Sequence, residues 1–173
     1  MISEKLTYKT KWTIRRYAST EKFLADLPEP VIGGDGELLP AVSEIDGNLL
    51  LNEGIGELLD LACGLGSPTA FNNANAYLGV GDSSSAEAAT QTGLQAATNK
   101  AYKGMETSYP SRSNQTVTFR SVFGGTDANF AWNEMSVANG NSDTAKNLNR
   151  KVSAQGTKAS GQTWTLDMSI TLS

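Results

Sequence analysis

Residues 163–172 alternate without a break. Trp164, Leu166, Met168, Ile170 and Leu172 are apolar, and Thr163, Thr165, Asp167, Ser169 and Thr171 are polar. A period of two puts one set on each side of an extended chain, whereas a helix would scatter both sets around its axis. Such a strand needs a sheet with one face on a core, and antiparallel sheets meet that need most readily. The pattern recurs at Val117, Phe119, Ser121 and Phe123, interleaved with Thr116, Thr118, Arg120 and Val122. It recurs again at Leu6, Tyr8, Thr10, Trp12 and Ile14, with Lys5, Lys9, Lys11 and Arg15 on the other side.

Weaker signals fill the space between. Asn75 to Gly81 reads as a short strand with Ala76, Leu78 and Val80 on one side. Ala101 to Thr107 reads as a strand, and Pro110 to Asn114 as a turn. Phe130 to Val137 is expected to be a strand with Trp132 and Met135 on opposite faces. Leu148, Arg150 and Val152 alternate beyond a hairpin-like connection around Asn139, Gly140 and Asn141. Ala86 to Asn99 reads either as a helix or as a loop with two turns, and Thr90, Thr92 and Gly93 favour the loop.

The clearest helix spans 49–63. Leu50, Leu51, Ile55, Leu58, Leu59 and Ala62 share one broad stripe, Asn48 or Asn52 is the candidate cap, and Gly64 and Gly66 stop it. Gly54 and Gly56 weaken it, and point either to a close backbone approach or to a later start. Cys63 is expected to be a small buried hydrophobe. A shorter helix is expected at Thr20 to Leu27, with Phe23, Leu24 and Leu27 on one side. Pro28, Pro30, Gly33, Gly34, Gly36 and Pro40 then interrupt regular structure. The expected fold is therefore mainly β: an antiparallel β-sandwich or jelly-roll-like domain with one main α-helix. Residues 1–47 form an N-terminal strand and extended arm, and 48–173 form the β-rich core domain. No βαβ rhythm appears after residue 75, which argues against a doubly wound fold.

Charge is ordered along the chain. Residues 1–23 hold Lys5, Lys9, Lys11, Arg15, Arg16 and Lys22, whereas 24–60 hold nine acidic residues and no Lys or Arg. The two blocks can attract each other or a neighbouring subunit, or simply be two solvated faces. The net charge of -4 argues against bulk nucleic-acid binding. The one candidate nucleic-acid surface is the first strand, where Tyr8, Trp12 and Tyr17 accompany Lys9, Lys11, Arg15 and Arg16. No apolar run approaches the ~20 residues that cross a bilayer. Met1 to Thr20 has no apolar block, so no signal peptide is expected.

Catalytic chemistry finds few footholds. There is no His, which removes His-based acid–base work and His-ligated metals, and a single Cys excludes an intrachain disulfide. Ser83, Ser84 and Ser85 follow Asp82 without a nearby base and read as a loop. Glu106, Asp127, Glu134 and Asp167 fall on different strands, and nothing pairs them for glycoside hydrolysis. Glu134 is the odd one. Strict alternation places it beside Phe130 and Trp132, where it needs a partner, with Arg120 the candidate. Asp82, Ser84 and Glu87 have only loose calcium-ligand spacing, and Gly33, Gly34 and Gly36 lack a phosphate-binding pattern. Asn114, Gln115 and Thr116 form a glycosylation triplet, which has meaning only in a glycosylating pathway. No catalytic, cofactor-binding or metal-binding residue is expected, no cofactor is implied, and the chain is not expected to be an enzyme.

Several segments resemble a family of small tailed-bacteriophage virion structural proteins. They are Gly47-Asn48-Leu49-Leu50-Leu51-Asn52-Glu53-Gly54-Ile55, Ala70-Phe71-Asn72-Asn73-Ala74-Asn75-Ala76, Leu78-Gly79-Val80-Gly81-Asp82, Asp127-Ala128-Asn129-Phe130-Ala131-Trp132-Asn133-Glu134 and Leu148-Asn149-Arg150-Lys151-Val152. The likeness runs from Gly47 to Ser173 and carries over no catalytic residue. It implies a capsid decoration or cement protein on the exterior of the virion, made in the host cytoplasm. The implied partners are the major capsid protein and neighbouring copies of the chain, in a homo-oligomer for which a trimer suits threefold lattice sites. A tail component (fibre, collar or baseplate) is the alternative. A carbohydrate-binding module is a further one, and it would need Tyr77, Tyr102, Tyr109 and Trp132 to line one groove.

Overall fold

The computed structural model describes residues 7–173. The chain opens with β1 (Tyr8–Tyr17) and the short helix α1 (Thr20–Leu24), then β2 (Val31–Ile32), β3 (Leu38–Leu39), β4 (Val42–Asp46) and β5 (Leu49–Leu50). The main helix α2 (Asn52–Cys63) follows. The rest is strand and connection: β6 (Tyr77–Gly81), β7 (Lys100–Gly104), β8 (Ser111–Ser113), β9 (Thr116–Phe123), β10 (Glu134–Ala138), β11 (Asn147–Val152) and β12 (Thr163–Leu172).

Two five-stranded antiparallel sheets form the sandwich, in the orders β4-β1-β12-β9-β8 and β5-β11-β10-β6-β7, with β2 and β3 as a separate hairpin. Alternation explains the core between them. Trp12 and Ile14 of β1, Phe119 and Phe123 of β9, and Trp164, Leu166 and Met168 of β12 meet Leu78, Val80, Met135 and Val137 of the second sheet. Phe123, Trp132 and Trp164 make an edge-to-face stack, with centroids 4.8 Å and 4.9 Å apart.

The outer face of β9 and β12 is not simply wet. Its cross-strand partners bond to each other in sequence: Thr116 with Thr171 at 2.8 Å, Thr118 with Ser169 at 3.0 Å, and Arg120 with Asp167. Thr163, Thr165 and Asp167, expected to face water, are buried. Arg15 from β1 also reaches Asp167, and long side chains of this kind cover surface that short polar ones leave open.

Several sequence expectations need correction. The N-terminal strand is present from Tyr8, the expected positions of Lys5 and Leu6 lying outside the described residues, but residues 28–47 fold back on the body rather than reach outward as an arm. Val31 and Leu39 enter the core, and β4 pairs with β1. The opposed charge blocks help to hold this segment, through Lys11–Glu44 at 2.8 Å and Lys22–Glu29 at 3.3 Å. The helix expected at 49–63 starts at Asn52, because Leu49 and Leu50 pair with β11. Its cap position is Leu51, and neither Asn48 nor Asn52 caps it. Cys63 is exposed, on the last turn before Gly64 takes a left-handed conformation. The shorter helix ends at Leu24, and Leu24 and Leu27 lie exposed. The strand expected from Phe130 begins only at Glu134. Trp132 lies before it and bonds to the backbone of Gly156, so Trp132 and Met135 both reach the core. Pro110 to Asn114, expected as a turn, contains the edge strand β8. The segment 86–99 is a loop with turns. No helix among the described residues is long and apolar enough to cross a membrane.

Candidate functional site

Three places in the fold gather side chains of unusual character. The first lies on the outer face of the second sheet, beneath the loop of residues 82–99. Glu134 and Arg150 are both fully buried there, with Nε donating to Oε2 at 2.6 Å. The Glu134 carboxylate also accepts the backbone N–H of Gln95 at 2.9 Å and of Ala96 at 2.7 Å. Arg150 Nη1 donates to the Ser85 carbonyl and to Gln91 Oε1, each at 3.0 Å. The strand alternation that aims Met135 and Val137 inward aims Glu134 and Ser136 outward, and the loop closes over them. Gly81 has no side chain because the Glu134 carboxylate needs the room: a Cβ there would lie 2.5 Å from Oε1. The pair anchors the loop and leaves neither charge open to a ligand. The partner of Glu134 is Arg150, not Arg120, because the two sheets place Arg120 on the far side of the core.

The second place is a polar groove of about 450 Å³ on the outer face of the first sheet. Arg15 and Arg120 both grip Asp167, Arg120 through two parallel bonds of 2.7 Å and 2.6 Å. Arg120 stacks on Tyr109, and Tyr17 donates to Asp26 at 3.0 Å. Glu106 lies on the wall. The Asp167 side chain is almost fully enclosed by its two cations.

The third place is an apolar groove of about 390 Å³ at one end of the sandwich, between α2 and the ends of β1, β9 and β12. Tyr8, Ile55, Leu58, Leu59, Val117 and Leu172 line it. The sequence stripe on α2 is real, but most of it is not buried: Ile55, Leu58 and Leu59 are exposed, and Gly54 is the helix's only buried residue. Gly54 is where α2 touches the sheet. A Cβ there would lie 2.5 Å from the Leu148 carbonyl oxygen, so only glycine allows this seat. Two of the three acidic residues of α2 bond back to the body, Glu53 accepting from Asn147 N at 2.8 Å and Glu57 from Thr69 N at 2.6 Å. The helix thus presents its apolar side outward, a feature typical of a contact surface.

The other residues singled out in the sequence go elsewhere. Asp127 pairs with Lys103 at 2.7 Å, which holds its carboxyl below the usual range. Asp82 accepts from Asn99 and Glu87 from the backbone of Val152, and Ser83 and Ser85 bond to each other. Among the described residues, no group of three or more acidic or cysteine side chains is gathered to hold a metal ion. Gly33, Gly34 and Gly36 form the β2–β3 turn region, and Asn114 the exposed β8–β9 turn. On the first strand, Lys9 stays exposed, Lys11 and Arg15 are ion-paired, Trp12 and Tyr17 are buried, and Tyr8 is half-buried on the wall of the apolar groove. Arg16 is buried over Trp164 with its centre 4.6 Å from the ring. It donates to the carbonyls of Pro40 and Gln155 and to Ser43 Oγ, and burial pulls its pKa down to about 10. Trp132 is fully buried and Tyr102 lies over Gly79, so Tyr77, Tyr102, Tyr109 and Trp132 do not line one groove. Comparison with protein families, with curated proteins and with solved structures found no match to the chain.

Proposed function

We propose that the protein is a bacteriophage virion structural protein that works by adhesion, as a decoration or cement protein on the capsid exterior. Its partners are the major capsid protein and neighbouring copies of itself. The observation that carries this reading is the apolar groove. A small domain whose main helix leaves its apolar stripe uncovered by the described residues has apolar surface to bury in a contact. The rigid sandwich beneath supports the same reading, since a lattice-bound protein needs a fixed surface more than a mobile cleft. The resemblance of Gly47 to Ser173 to small phage virion proteins supplies the setting.

The test is binding to emptied, expanded capsids. The expected result is saturation near the number of equivalent lattice sites, together with a higher temperature of capsid rupture. A few copies confined to purified tails would instead make the protein a tail component. Substituting Leu58→Asp in the groove is expected to reduce capsid binding while leaving the melting temperature close to that of the parent, because the side chain is already exposed.

A further inference from the structure

We propose that the free edge of β4 takes an extended, lysine- or arginine-bearing segment of a partner protein as a further strand of the first sheet. The contact is separate from the α2 groove and does not depend on the partner being a capsid. β4 is a rim of its sheet, and among the described residues it pairs with β1 alone. The bonds from Gly47 N to the Thr10 carbonyl and from Arg16 N to the Ala41 carbonyl set the phase of that ladder. Bonded positions alternate along an antiparallel pair. Ala41, Ser43, Ile45 and Gly47 therefore turn their N–H and C=O groups to β1, and Val42, Glu44 and Asp46 turn theirs away. Nothing among the described residues pairs with these outward groups. Five residues at roughly 3.3 Å each give an edge long enough to seat another strand.

The edge opens onto a groove of about 830 Å³ that it shares with residues 153–157. The lining holds four carboxylates, Asp35, Glu37, Glu44 and Asp46, against a single cation, Arg16. Arg16 is buried, and its Nη1 and Nη2 donate to Pro40, Ser43 and Gln155. Its Nε–H has no partner, a donor left over in the groove wall. Lys11 pairs with Glu44 from the outer face of the sheet, and Lys9 and Lys151 lie on nearby strands outside the lining. The groove is acidic on balance. That charge decides the occupant. The β4 edge of a second copy would bring the same acids together, and like charges facing each other across a pair destabilise it. A strand with Lys or Arg at alternate positions meets Glu44 and Asp46 instead, and Val42, 41% exposed, offers it an apolar contact.

The experiment uses the full chain and a fluorescent heptapeptide of alternating lysine and valine, with a glutamate-for-lysine version as control. Anisotropy is expected to show saturable binding of the lysine peptide, weaker as salt rises, and no binding of the glutamate peptide. On binding, amide exchange is expected to slow at Val42, Glu44 and Asp46 and to hold steady at Ser43 and Ile45, whose N–H groups β1 already occupies. A lysine peptide N-methylated throughout keeps its charge and loses its donors, and is expected to bind about tenfold more weakly. Glu44→Gln combined with Asp46→Asn is expected to weaken binding and flatten its salt dependence. Val42→Pro removes an outward N–H and no bond to β1, and is expected to weaken binding as well. Thermal melts confirm that each variant is folded, and the N-methylated peptide tests the backbone contact without altering the protein. The proposal falls if the lysine peptide fails to bind at millimolar concentration, or if the glutamate peptide binds equally. It also falls if the N-methylated peptide matches its parent, or if exchange at the three outward amides does not change.

Discussion

Single residues in this protein carry large electrostatic stakes. Removing the charge of Glu134 leaves Arg150 buried without a counter-ion, and one-sided removal of a buried pair costs about 3–5 kcal/mol. Glu134→Gln is therefore expected to lower the denaturant midpoint sharply and to speed amide exchange across residues 82–99, which the carboxylate anchors. Replacing both members by Leu and Met is expected to cost less than the two single changes added together. Lys158 makes the opposite kind of demand. Its ammonium is buried, donates to the Gly124 carbonyl at 2.7 Å and to Asn129 Oδ1 at 2.8 Å, and burial lowers its pKa from 10.5 to about 8, against the pull of Asp127. Below that value both folded and unfolded chains hold the proton, and the burial penalty is complete. Above it the folded chain sheds a proton that the unfolded chain keeps, so the unfolded state binds more protons and stability rises with pH. The gain is at most about 1.4 kcal/mol per pH unit. Unfolding measured from about pH 7 to about pH 10 is expected to show the parent gaining on Lys158→Met over that window, and a constant difference would contradict it.

At the scale of elements, the seat of α2 is the most sensitive. Gly54→Ala forces a methyl group against the backbone of Leu148, so the helix must lift from β11. Although alanine is the better helix former, the variant is expected to melt lower, by several degrees, and to show faster exchange in α2 alone. The elements differ in how plainly the sequence announces them. β12 is legible because one face is apolar for its whole length, and β9 because Ser121 alone interrupts Val117, Phe119 and Phe123. Within residues 28–47, β2 and β3 have two residues each, too short for any period to register, and β4 is an edge strand flanked by Pro40 and Gly47, so the segment reads as an arm. Phe130 and Trp132 continue the alternation into Glu134 although the backbone breaks between them, so the pattern overstates β10. The site was half legible. Ile55, Leu58 and Leu59 stand out as an apolar stripe, but a stripe reports that a face is apolar and not whether the same chain covers it. The Glu134–Arg150 pair lies on the two strands of the expected hairpin, but its register, with Arg150 opposite Ser136, and the loop of residues 82–99 that buries it leave no mark in the alternation.

At the scale of the whole molecule, the two sheets share one core and the first sheet is ordered from its middle outward. β1 and β12 pair along ten residues at its centre, with β4 and β8 at its rims. Amide exchange is expected to be slowest in β1 and β12, approaching global unfolding, and fastest in β8, whose residues are all exposed. A chain truncated after Gly161 loses the central strand and is expected to show neither a cooperative melt nor native far-ultraviolet dichroism. The same arrangement bears on how the protein is made. Of the described strands β1 is made first, but the strand that covers its long inner edge is made last. Until translation reaches it, each nascent chain offers an open edge to its neighbours on the same polysome, so swapping of β12 between copies competes with correct closure, more strongly the slower the message is read and the closer its ribosomes are spaced.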